Sequence, residues 1–132
     1  DFAAVKALWD TDDAQPIYIA EEAEKPFTTW PEIDRYWSHT AGVLARVSHR
    51  AANRIIKAAS PDIAIVLYDM HWNAEVAPGG LFGGEKMAGD NRVTIMLRRK
   101  PEGWRIFHYV EAPVAGMVQM RQAMRALVDP GF

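Results

Sequence analysis

Arg92-Val93-Thr94-Ile95-Met96-Leu97-Arg98-Arg99, then Pro101-Glu102-Gly103, then Trp104-Arg105-Ile106-Phe107-His108-Tyr109-Val110 reads as two strands joined by a tight turn. β-Branched and aromatic residues fill both runs, and the proline and glycine between them break the pattern where a hairpin must reverse. Working backwards, Ile63-Ala64-Ile65-Val66-Leu67-Tyr68 is the most strand-like run in the chain, and Ser60-Pro61-Asp62 turns into it. Residues 43 to 58 are mixed, because Arg, Ala and Asn favour helix while Ile55-Ile56 favours strand; the turn that follows tips the reading to strand. Ala77 to Asp90 holds five of the nine glycines and is expected to be a mobile loop.

Helical signals flank these strands. Phe2, Val5, Leu8 and Trp9 recur at helical spacing behind Asp1, a potential cap, so residues 2 to 9 are expected to end a first helix. Pro16-Ile17-Tyr18-Ile19-Ala20 suits an edge strand. Thr29-Trp30-Pro31-Glu32 has the form of a capping box opening a helix with Ile33, Tyr36 and Trp37. After Pro113, a last helix is expected to place Val114, Met117, Val118, Met124 and Leu127 on its apolar side. Helices around a run of hairpin-spaced strands predict an α+β domain: a curved, mostly antiparallel sheet with helices on its concave face.

The chain has 132 residues, enough to bury roughly two thirds of its unfolded surface in one domain. Its 15 Lys and Arg against 17 Asp and Glu offer no basic field for nucleic acid and no polybasic membrane anchor. Without cysteine there are no disulfides, thiolate metal sites or thiol nucleophiles, which fits a cytoplasmic location. No targeting segment is visible at Asp1-Phe2-Ala3-Ala4. Gly79-Gly80-Leu81-Phe82-Gly83-Gly84 is no phosphate loop, since neither Lys-Ser/Thr nor a helix start follows.

Asp1-Phe2 with Leu8-Trp9, Trp30-Pro31-Glu32-Ile33 leading to Tyr36-Trp37, Asp62-Ile63-Ala64, and Arg98-Arg99 before Gly103 to Tyr109 together resemble the nuclear transport factor 2-like superfamily, in its SnoaL-like and ketosteroid-isomerase-like group. The resemblance runs from residue 1 to about 111 and implies a cone-like, cystatin-like roll over residues 1–132, with the first turns of the first helix missing. It is nearly silent about activity, because one such fold serves many chemistries. Tyr18 stands where ketosteroid isomerases are expected to carry their base, and Leu67, Thr94 and Glu111 where a kinase association domain carries arginines, so neither site is implied here.

Alternation along the strands groups Leu67, Asp69, His71, Asn73, Arg92, Thr94, Met96, Phe107, Tyr109 and Glu111 on one face. The other carries Val66, Tyr68, Met70, Trp72, Val93, Ile95, Leu97, Trp104, Ile106, His108 and Val110. Patterning alone puts the apolar set under the helices, whereas the resemblance implies that the mixed set lines a cavity and the apolar set meets a second copy of the chain. On the second view, His71 is the acid–base group, poised by Asp69 or Glu111, with Arg92, Thr94, Tyr18, Trp37 and Tyr109 holding substrate. The competing view is a salt-bridged cluster without turnover. No metal site or cofactor is expected, because Asp69 and His71 lack a third ligand at recognisable spacing. The expected function is a cavity protein for a small apolar or mixed-polarity metabolite, acting as a cofactor-independent isomerase, dehydratase or cyclase. The alternative is a noncatalytic ligand-binding or dimerisation module, and the expected dimer contact is Trp104, Ile106 and Trp72.

Overall fold

Thr29 and Glu32 start the central helix as their spacing predicts: Glu32 Oε2 accepts the backbone N–H of Thr28 at 3.0 Å and of Thr29 at 3.1 Å, and the Thr29 hydroxyl at 2.9 Å. The computed structural model describes residues 2–79, 82–114, 117–129 and 131. In chain order these form α1 (Phe2–Lys6), β1 (Ile17–Ile19), α2 (Trp30–Val43), β2 (Leu44–Ser60), β3 (Ile63–Val76), β4 (Lys86–Lys100), β5 (Gly103–Pro113) and α3 (Met117–Ala126). The strands make one open sheet in the order β1-β5-β4-β3-β2, antiparallel except where β1 pairs parallel with β5. Register irregularities in β2, and another between β4 and β5, bend these long strands into a curved layer.

The mixed run at 43 to 58 is strand from Leu44 onward, since β-pairing to β3 outweighs the helical preference of its alanines and arginines. Three expectations change. The helix at 2 to 9 ends at Lys6, and Trp9 instead bridges to Ile106 beside β5; its suggested cap, Asp1, lies outside the described residues. The glycine loop gives way to β4 at Lys86, because residues 86–90 pair with Glu75 to His71. Of the last helix, Val114 lies before its start, Met124 and Leu127 are exposed rather than packed, and the side chains of Met117 and Val118 are outside the described residues.

Gly89 has a strand function. It faces Trp72 across the β3–β4 ladder, and a Cβ there would come within 2.8 Å of the indole ring. Gly89→Ala should therefore swing Trp72 out of place, read as a changed near-ultraviolet signal and tryptophan emission; an unchanged spectrum would contradict this packing.

The core is aromatic. Trp9, Ile33 and Trp37 are buried, and Phe2, Tyr18, Phe27, Trp30, Tyr36, Ile106 and Tyr109 pack against them. Because Trp37 of α2 meets Tyr18, and Tyr18 stacks on Tyr109, α2 covers the sheet face that carries Tyr109. Behind that face, Asp10 clamps the α1–β1 connection to β4. The residue is 2% exposed, and its carboxylate takes Arg98 Nη1 at 2.7 Å and Lys100 Nζ at 2.9 Å. Burial pushes this carboxyl up, but the hydrogen bonds and charges of Lys100 and Arg98 more than reverse it, so its pKa lies below 3.8 in the fold. A depressed carboxyl contributes stability that is present above its ordinary value and lost as pH falls through the folded value. Arg98→Met should cost about 2–3 kcal/mol at neutral pH, less than a fully orphaned charge because Lys100 remains. The cost should shrink below pH 3.8. Equal losses at pH 7 and pH 3 in urea unfolding would refute the clamp.

Register settles the two faces. Under α2 lie Val66, Tyr68, Met70 and Trp72 of β3, with Asn91, Val93, Ile95 and Leu97 of β4 and Ile106, Tyr109 and Glu111 of β5. The outer face carries Leu67, Asp69, His71, Arg92, Thr94, Met96, His108 and Val110. Simple alternation therefore holds for β3 and β4, and the mixed-face cavity is corrected. In β5 one extra residue between His108 and Ile106 shifts the parity, so Ile106 joins Tyr109 and Glu111 inside while His108 and Val110 face out. The expected dimer contact falls with it: Ile106 packs on the aromatic core, and Trp72 turns a buried indole nitrogen inward.

Candidate functional site

The predicted site residues divide between the faces. Tyr18, Tyr109 and Glu111 lie under α2, which carries Trp37 down onto them, whereas Asp69, His71, Arg92 and Thr94 lie outside, so they do not converge. On the outer side, His71 does hold a carboxylate, but it is Asp90: Nδ1 lies 2.8 Å from Asp90 Oδ1, with the two side chains 34% and 68% exposed. Asp69 instead accepts the Asn53 amide at 2.7 Å. A cleft of about 330 Å³ opens here, lined by Arg50, Asp69, His71, Asp90, Asn91 and Arg92 among others. Thr94 sits beyond it, between Leu67 and Val110.

The inner side is drier. Tyr18 is fixed by the parallel pairing of β1 with β5, which sets it beside Tyr109; the rings stack at 5.0 Å and 6°. Tyr36 and Trp37 of α2 meet the same ring at 5.5 and 5.9 Å. Tyr36 donates to Glu22 Oε1 at 2.6 Å, and Tyr109 donates to Glu111 Oε1 at 2.5 Å. Tyr68 faces the Tyr109 hydroxyl from β3.

Burial pushes Glu111 above the ordinary carboxyl range; the Tyr109 hydroxyl and the backbone N–H of Glu21 pull it back, and the charges of Glu21 and Glu22 push it further up. Burial likewise raises Glu21, against the pull of Asn91 and Trp72. The hydroxyls of Tyr18, Tyr36 and Tyr109 stay protonated, first because they are buried and then because carboxylates lie close. One feature is unresolved by the protein itself. Asn91 is 1% exposed and neither amide atom has a partner, and Trp72 Nε1 is buried without one. Buried polar groups are rarely left so, because each costs roughly 1–3 kcal/mol.

Glu21, Asn91, Trp72, Tyr36 and Tyr68 were not foreseen as site residues. Asn91 carried a readable signal, as the polar member of the alternating set Asn91, Val93, Ile95, Leu97. Glu21 had none: its position follows from β1 pairing with a strand ninety residues on. Among the described residues, no group of three His, Cys, Asp or Glu could hold a metal ion. No helix among them is long and apolar enough to cross a membrane.

Comparison with known proteins bears on this arrangement. Residues 1–116 match the family model described as the SnoaL-like domain. No curated protein matches. Among solved structures, the chain is similar to one assigned as a dehydratase of the NTF2-like family from Streptomyces avermitilis, with 16% identity over 88% of this chain and 85% of that one, at a TM-score of 0.74. A hexachlorocyclohexane dehydrochlorinase, LinA type 2, has 14% identity over 100% and 82%, with a TM-score of 0.66. An NTF2-like superfamily protein from Salmonella enterica has 19% identity over 78% and 75%, with a TM-score of 0.60. At these identities the likeness establishes the shared fold.

Proposed function

Since the chain belongs to the SnoaL-like family, we propose that it binds a small molecule on the α2-covered face and acts on it by cofactor-independent acid–base chemistry of the isomerase, dehydratase or cyclase type. Glu111 is its main proton-handling group. The observation that carries this reading is the Tyr109–Glu111 pair, held in an aromatic enclosure on the same face as the buried amide of Asn91 and the buried indole nitrogen of Trp72. A carboxylate raised by burial is a stronger base than one in water, and it reaches its working range nearer neutral pH.

The chemistry follows from the pair of acids. Glu111 as carboxylate takes a proton from a carbon activated by a neighbouring carbonyl. In an elimination, Glu21 in its protonated form passes a proton to the departing hydroxyl, which leaves as water. In an isomerisation, Glu111 returns its proton to a second carbon. Two similar folds, those of the dehydratase and the dehydrochlorinase, carry names that denote eliminations, which supports the first course.

A second reading keeps His71 as the acid–base group, favoured by its contact with Asp90 and by Arg50 and Arg92 in the same cleft. The two separate by substitution. With a substrate found by screening carbonyl-bearing ring compounds, His71→Gln should keep turnover within about threefold of the parent, whereas loss of a catalytic histidine should lower it by roughly 10²–10⁴-fold, the usual contribution of general acid–base catalysis. A loss in that range would move the site to the outer cleft.

Self-association also belongs to this reading. Ile55, Leu67, Thr94, Val110 and Ile19 form one row across the outer face, and Ile65 and Met96 lie in the row beside it. Leu67 and Ile55 are exposed. A second copy of the chain covering this stripe would remove apolar surface worth about 25 cal/mol per Å².

A further inference from the structure

The cleft on the outer face has no part in the chemistry proposed under α2. It opens where neighbouring strands bring Arg50 of β2, Asp69 and His71 of β3, and Asp90 and Arg92 of β4 side by side, one row beyond the apolar stripe through Leu67 and Thr94. Its volume of about 330 Å³ suits a small organic ligand, and Ala52 and Val114 give it apolar edges.

The charges in this cleft are not paired as the ladder would suggest. Arg92 stands directly across from Asp69 and two residues along β4 from Asp90, positions from which opposite charges ordinarily meet. Both carboxylates are engaged elsewhere. Asp90 Oδ1 lies 2.8 Å from His71 Nδ1, and Asp69 Oδ2 accepts the Asn53 amide at 2.7 Å. Asn53 makes that contact from a register shift in β2 with its φ at 52°, a left-handed conformation that asparagine tolerates better than most side chains. Neither Arg50 nor Arg92 has an ion pair or a side-chain hydrogen bond among the described residues.

What stays open in the cleft is therefore guanidinium. Each offers a planar fork of N–H donors that matches the paired oxygens of a phosphate or carboxylate. The two arginines stand two strands and one row apart, roughly 12 Å between Cα atoms at ordinary sheet spacings, and both line the cleft. A metal ion does not fit, since no three acids or histidines among the described residues are grouped to hold one. An ammonium ligand would meet two free cations and carboxylates that already have partners.

From two unpaired arginines in one cleft whose carboxylates are already bonded, we propose that the outer cleft binds a small organic dianion, a phosphate monoester, with its head held between Arg50 and Arg92. Asn53 is a positioning residue: by holding Asp69 it keeps that carboxylate off Arg92. The cleft is separate from the α2-covered site and is assigned binding, not turnover.

The test titrates phenyl phosphate, benzoate, phenol and benzylamine into the chain at pH 7, followed by calorimetry and by the Arg92 Nε–H and His71 ring resonances. Phenyl phosphate should bind about tenfold more tightly than benzoate, with phenol and benzylamine weaker still, and the Trp72 indole N–H on the other face should not move. Arg50→Gln and Arg92→Gln should each weaken phenyl phosphate by about ten- to a hundredfold. Both side chains are exposed, so these variants report binding rather than folding. Asn53→Gly, which keeps the backbone free to hold a positive φ, should release Asp69 to Arg92 and weaken binding by about two- to fivefold. Adding Asp69→Asn to that variant should restore the affinity, which a merely structural Asn53 would not explain. Phenol or benzylamine binding as well as phenyl phosphate, undiminished affinity in both arginine variants, or no recovery on adding Asp69→Asn would overturn the proposal.

Discussion

Glu111→Gln should lower turnover by roughly 10²–10⁴-fold while leaving the fold and ligand affinity nearly intact, the usual loss when a positioned acid–base group is removed. Glutamine keeps the shape and still accepts the Tyr109 hydroxyl through its carbonyl oxygen, so the variant isolates proton transfer from packing. Tyr109→Phe gives a graded comparison, because it removes one stabilising donor from the carboxylate and so raises Glu111 further. In the parent, kcat should rise with pH along a limb set above the ordinary 4.5 of a glutamate, since burial comes first among the influences on this group. That limb should disappear in Glu111→Gln. Turnover within a few fold of the parent would remove Glu111 from the chemistry.

Trp37→Ala should be the most damaging core substitution, at about 3–5 kcal/mol, as for large aromatic side chains cut back to alanine in well-packed interiors. Trp37 is 4% exposed and stands against Phe2 at 5.8 Å, Tyr18 at 5.9 Å and Trp9 at 6.2 Å, joining α1, β1 and α2 in one cluster. A domain with a typical reserve of about 5–15 kcal/mol would be left marginal. The same substitution unseats Tyr18, so ligand binding should weaken along with stability. Urea unfolding with an unchanged slope and a much lower midpoint is the expected readout, and a loss under about 1 kcal/mol would mean that the cluster is not the core.

The architecture was legible because it rests on local signals. Thr29 and Glu32 announce α2, Pro101 to Gly103 announces the β4–β5 turn, and the apolar, β-branched run from Ile63 to Tyr68 behind Ser60-Pro61-Asp62 announces β3. The site was less legible for two physical reasons. A single extra residue in β5 reverses which side chains face inward, and no residue type near Ile106 to His108 declares it; counting by twos from Trp104 therefore sent Ile106 outward, and the resemblance drew Asp69 and His71 inward together with Tyr109 and Glu111. The other reason is distance along the chain. Glu21 meets Glu111, Asn91 and Trp72 only through the parallel β1–β5 pairing, a contact that periodicity within a segment does not encode. His71 shows the converse: a carboxylate partner was expected, and one is present, but it is Asp90, which lies directly across the ladder from it.

The most direct test of where the chemistry sits is the chemical-shift response of the nitrogen-labelled chain to a bound substrate. The Trp72 indole N–H, the Asn91 side-chain amide and the backbone N–H of Glu21 should move on binding, and His71 should keep its shifts and its contact with Asp90. Movement confined to His71, Asp90 and Arg92, with Trp72 and Asn91 unchanged, would contradict the account and place the site in the outer cleft.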